Sequence, residues 1–86
     1  MSEKVLVSVF DKVAKLYSPV MTEINKESAI RNFKIGAKQN AQISACPEDY
    51  ELRLVGFWDD ETGKTVGYMG NEPVLLFKAI DLFTAE

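Results

Sequence analysis

Asp59, Asp60 and Glu61 follow one another in the stretch Tyr50-Glu-Leu-Arg-Leu-Val-Gly-Phe-Trp-Asp-Asp-Glu-Thr-Gly-Lys-Thr-Val-Gly-Tyr68. Carboxylates this close could serve acid–base chemistry, or hold a hard divalent cation that wants several oxygens converging in a small space. Their spacing does not complete a calcium-binding loop. The run Asp59-Asp60-Glu61-Thr62-Gly63 instead has the composition that turns favour for local reasons. Aspartate accepts from nearby backbone amides, and glycine takes positive φ without steric cost. It reads as the solvated turn of a β-hairpin, with no metal site.

The chain has no histidine and one cysteine. That removes intrachain disulfides, most zinc and haem ligation, and Ser/His or Cys/His catalysis. Cys46 precedes Pro47 in a polar segment with no basic neighbour in sequence, so it reads as an ordinary free thiol in a reducing compartment. No catalytic residues and no cofactor are expected, which leaves binding and scaffolding as the function classes.

Two groups of side chains suit binding. On a helical wheel Arg31, Lys34 and Lys38 fall together, opposite Ala29, Ile30, Phe33 and Ala37, so a helix there carries a basic stripe. With a net charge of −3 the molecule as a whole does not attract phosphate, and nucleic-acid binding needs such a local patch. Lys26 and Arg53 are candidate additions. The second group is aromatic. Phe57 and Trp58 are neighbours on a strand and must face opposite sides of the sheet. One side is expected under the helix. Trp58 or Phe57, with Tyr17 and Tyr68, then marks a second face occupied by a partner, a tail or a ligand.

The elements that position these residues follow from local patterning. Val5, Val7 and Val9 alternate with Leu6, Ser8 and Phe10 as in a β-strand. After an interruption at residues 11–14, residues 15–21 resume an extended pattern, completing an N-terminal hairpin, and Pro19 belongs at a sheet edge because it cannot donate a ladder hydrogen bond. Asn25 is a suitable N-cap, and Glu27 sits in the first turn, so a helix is predicted from about Lys26. Residues 40–49 read as a connecting loop. Leu52 to Trp58 is a strand with Leu52, Leu54, Gly56 and Trp58 on one side and Arg53, Val55 and Phe57 on the other. The run Val74-Leu-Leu-Phe-Lys-Ala-Ile-Asp-Leu-Phe83 suits either a helix or a buried strand, and the helix reading is preferred. The expected fold is α+β in two layers: an antiparallel sheet of about four strands, in the order strand-strand-helix-strand-strand, packed on the central helix.

Eighty-six residues make one domain, 1–86, with a core small enough that self-association is a natural supplement. The N-terminus lacks the uninterrupted apolar core of a signal peptide, and no run approaches a membrane span. A soluble, unexported protein without membrane contact is expected.

Four blocks carry a family resemblance: Val9-Phe-Asp-Lys-Val-Ala-Lys-Leu-Tyr-Ser-Pro19, Ser28-Ala-Ile-Arg-Asn-Phe33, Pro47-Glu-Asp-Tyr50 and Leu54-Val-Gly-Phe-Trp-Asp-Asp-Glu-Thr-Gly-Lys64. In order and spacing the chain resembles the small nonstructural protein of gokushovirus-type microviruses, which are single-stranded DNA phages. Trp58 departs from the polar residue expected before the turn, and the tail after Gly70 carries no block of the family. The resemblance implies a non-enzymatic accessory protein in the cytoplasm of the infected bacterium, acting in genome replication or packaging by binding single-stranded DNA. Arg31, the basic residue inside a matched block, is then the first candidate for a phosphate contact. The alternative is a dimeric protein-interaction module that recruits phage or host replication factors, or capsid-assembly factors, without touching DNA.

Overall fold

The structure, a computed structural model, describes residues 3–67 and 73–83. Its centre is the antiparallel pair β1 (Glu3–Asp11) and β4 (Tyr50–Asp59), matched from Glu3↔Asp59 to Asp11↔Tyr50. Two short strands, β2 (Leu16–Tyr17) and β3 (Met21–Glu23), share the free side of β1. On the far side of β4 lie β5 (Thr65–Gly67) and β6 (Val74–Lys78). The sheet is therefore antiparallel with six strands, and the fold is the expected α+β; two positions in it are shared by two short strands each, where about four strands were expected.

Pro19 explains the break between β2 and β3, since it has no amide proton for the ladder. Ser18 fills part of the gap: its amide donates to the Val9 carbonyl at 2.8 Å, and its hydroxyl accepts from the Val9 amide at 2.9 Å.

Helix α1 (Lys26–Gln39) begins where its cap predicts, with Asn25 Oδ1 accepting from the Ser28 amide at 2.8 Å. It lays Ala29, Phe33 and Ala37 over one face of the sheet, where they join Val5, Val7, Leu52 and Leu54 in the core. Burying aliphatic side chains on this scale, at about 1.5–3 kcal/mol for each large one, is what holds so short a chain folded.

Three local expectations are corrected. Residues 40–49 are not plain loop: Asn40 caps a second helix, α2 (Ala41–Ala45), through the Ile43 amide at 3.0 Å, and a 3-10 turn follows at Pro47–Asp49. Ile43 anchors this segment in the core. The apolar tail is strand first, β6, and only then a single helical turn, α3 (Ile80–Phe83). An open edge of β4 beside Glu51 to Leu54 takes up the tail as a strand, and tertiary pairing outweighs helical periodicity.

The third correction concerns which side chains share a face. Leu6 opposes Gly56 but Val7 opposes Leu54, so Val55 is an extra residue, a β-bulge, in β4. Past the bulge the alternation is shifted by one. Cross-strand partners share a face, so Phe57, opposite Val5, lies with Leu52 and Leu54 on the helix side. Gly56 and Trp58 lie with Arg53 on the outer side.

Candidate nucleic-acid interface

Each cationic candidate is placed by a different element. Arg31, Lys34 and Lys38 project from α1 on the side turned away from the core, and all three are exposed. The periodicity of the helix brings them within about 60° of one another. Lys34 Nζ stands 5.0 Å above the ring of Phe77, which in turn meets Phe33 edge-on at 6.1 Å between centroids. Phe77 belongs to the tail, where no sequence signal linked it to the stripe. Lys26 is exposed in the first turn, rotated about 80° from Lys34. Glu27 shares the meridian of the stripe one turn before Arg31, yet none of these helical charges forms an ion pair among the described residues.

The sheet cations differ. Lys4 pairs with Asp60 at 2.7 Å, Lys12 with Glu51 at 3.6 Å, and Arg53 with Glu51 at 2.8 Å. Arg53 thus lies on the outer face of the sheet, on the other side from the α1 stripe. Burial by itself would lower its pKa, but hydrogen bonds to Glu51 and Tyr17 outweigh that and raise it. Its guanidinium is held, charged, over the Phe10 ring at 4.3 Å from the centroid.

The aromatic candidates separate in the same way. Phe57 packs on the core from the helix side, and Trp58 lies outside, opposite Lys4. Both line a hollow of about 300 Å³ beside the β4–β5 turn. Tyr17 is exposed on the outer face, its ring 4.6 Å from that of Phe10. Tyr68 lies outside the described residues. With Leu6, Phe10 and Leu75, the outer face is more apolar than a face left to solvent needs to be.

The acidic turn is built as its composition suggests. Gly63 adopts φ +76°, its amide donates to the Asp59 carbonyl at 2.8 Å, and Asp59 Oδ1 accepts from the Glu61 amide at 2.9 Å. Among the described residues no three carboxylate or thiol groups converge as a metal site would require. No helix among them is long and apolar enough to cross a membrane.

Neither a curated relative nor a solved structure matches the chain. A family model does, over residues 4–82, which takes in all of the described strands but Glu3, the cationic helix and the acidic turn, and the chain accordingly belongs to the phage ORF5 protein family.

Proposed function

We propose that this phage protein is a nonstructural accessory protein of a gokushovirus-type phage that binds single-stranded DNA along α1 during genome replication or packaging. The observation that carries the reading is the contrast between its cations. Lys4 and Arg53 are each paired with a carboxylate and Lys12 shares Glu51 with Arg53, whereas Arg31, Lys34 and Lys38 are gathered on one exposed helix face and have no counter-ion among the described residues. Such a stripe attracts a phosphate backbone even on a molecule of net charge −3. Arg31 offers a bidentate fork to phosphate, and Lys34 and Lys38 act as point charges beside it.

A second reading, a protein-interaction module without DNA contact, is favoured by the apolar outer face that Trp58, Tyr17 and Leu75 present. Fluorescence anisotropy of a labelled single strand separates the two. With three phosphate contacts the affinity falls about 100-fold for a tenfold rise in salt. The combined Arg31→Ala, Lys34→Ala and Lys38→Ala variant loses most of the binding at low salt. No binding by the unaltered protein at low salt, or binding untouched by the triple change, overturns the DNA reading.

A further inference from the structure

The β1–β2 turn holds apolar side chains in solvent on a fixed backbone. Val13 is 71% exposed and Leu16 67%. The turn is closed by the Lys15 amide donating to the Asp11 carbonyl at 2.7 Å, while Asp11 Oδ1 accepts from the amides of Val13 and Ala14 at 3.0 and 3.1 Å. Lys15 itself takes φ +62°, a backbone conformation that residues other than glycine adopt reluctantly. Leu16 is registered with Asp11, and Asp11 with Tyr50, so Leu16 lies on the helix side of the sheet.

On that same side a groove of about 250 Å³ opens between α1 and β3. Val7, Val9 and Leu52 form its floor, and Met21 and Glu23 flank it. The helix wall includes the small residues Ala29, Gly36 and Ala37 beside Asn32 and Phe33, and a Cβ built at Gly36 would meet nothing within 4 Å. The Glu23 carboxylate accepts from Asn32 Nδ2 at 2.9 Å and forms no ion pair among the described residues.

We propose that the β1–β2 turn of one copy of this chain docks in the α1–β3 groove of a second copy, and reciprocally, to form a two-fold dimer. The volume suits two aliphatic side chains at interior packing density, which Leu16 and Val13 supply. Charge matches as well as shape: Lys15, exposed and unpaired among the described residues, enters beside Glu23. Turn and groove lie along one edge of the sheet, about 14 Å apart by the rise of β1 between Val7 and Asp11, so a single two-fold operation can satisfy both contacts. The fixed turn loses little freedom on docking. Arg31, Lys34 and Lys38 point about 140–160° away from Gly36 around α1, so the dimer leaves both cationic stripes in solvent. This interface is distinct from the outer sheet face and goes beyond the DNA reading.

Sedimentation velocity of the full chain up to about 0.3 mM tests it. The unaltered protein is expected to dimerise. Leu16→Glu, on an exposed turn, and Gly36→Leu, which fills open space on a helix, each raise the dissociation constant about 30-fold or more with the helical circular dichroism retained. Lys15→Glu and Glu23→Lys each weaken the dimer several-fold, and the two together recover it. A monomer at every concentration overturns the proposal, and if its groove binds the apolar dye anilinonaphthalenesulfonate until Gly36→Leu is introduced, the groove serves a different partner. A dimer indifferent to Leu16→Glu and Gly36→Leu, or a charge exchange that fails to recover, also overturns it.

Discussion

Arg53 and Tyr17 belong to strands on opposite sides of β1, and they are joined across it: Arg53 Nη1 donates to the Tyr17 hydroxyl at 2.8 Å while the guanidinium covers the Phe10 ring. From below, Glu51 Oε1 accepts from Nε at 2.9 Å and meets Nη2 at 2.8 Å. The outer face of β4, β1 and β2 is thus tied by a single charged side chain. Glu51 is buried, and its second oxygen faces Lys12.

Removing one charge of such a pair leaves the other desolvated and without a counter-ion. Glu51→Gln is expected to cost about 2 kcal/mol in urea unfolding, reduced from a fully buried case because Arg53 keeps some solvent contact. A double-mutant cycle with Arg53→Ala should return a coupling of about 1 kcal/mol. Additive effects would show that the pair contributes nothing beyond packing.

Tyr50 sets an alkaline limit. Its hydroxyl is raised above the ordinary value of 10.0, first by burial and then by the charge and hydrogen bond of Asp11. A raised folded pKa means that the fold favours the neutral phenol. Its contribution is fully present below pH 10.0 and is lost as the pH climbs through the folded value. Urea midpoints measured from pH 8 upward should therefore fall more steeply above pH 10 for the unaltered protein than for Tyr50→Phe. Parallel curves would remove Tyr50 as the cause.

Two glycines should respond with opposite signs to the same change. Gly63 sits at φ +76°, so Gly63→Ala forces a side chain into the left-handed region and costs about 1 kcal/mol. Gly36 lies in a helix with open space around it, so Gly36→Ala stabilises by about 0.5–1 kcal/mol through the unfolded state. Thermal midpoints moving in one direction for both would contradict this assignment.

The bulge predicts a contrast between neighbours. Leu54 is wholly buried, and truncation to alanine should cost about 3 kcal/mol. Val55, the unmatched residue of β4, is only half-buried, and Val55→Ala should cost less than about 1 kcal/mol. Comparable losses, read from urea midpoints, would place Val55 in the core instead.

What could be read from the chain was what neighbouring residues settle among themselves. Asn25 caps α1 through an amide three positions on, Gly63 turns the hairpin beside Asp59, and Ala29, Phe33 and Ala37 share a face by the pitch of the helix. The cationic stripe was legible for the same reason, since Arg31, Lys34 and Lys38 lie on one helix. Pro19 announced an edge because a missing amide proton is a local property.

The pairing of distant segments lay beyond the sequence. The bulge at Val55, which carries Phe57 inward and Trp58 outward, exists only because β4 must match β1. Val74–Lys78 became strand because β4 had an open edge, although the apolar spacing of the tail had favoured a helix. That Arg53 would be held by Glu51 and Tyr17, while the α1 cations have no counter-ions among the described residues, depended on which side chains the sheet brought together. Sequence by itself determined the local elements and their charge, because those energies act within a few residues. Tertiary structure alone decided register, face and partnership, because those energies act between strands that meet only when the chain has folded.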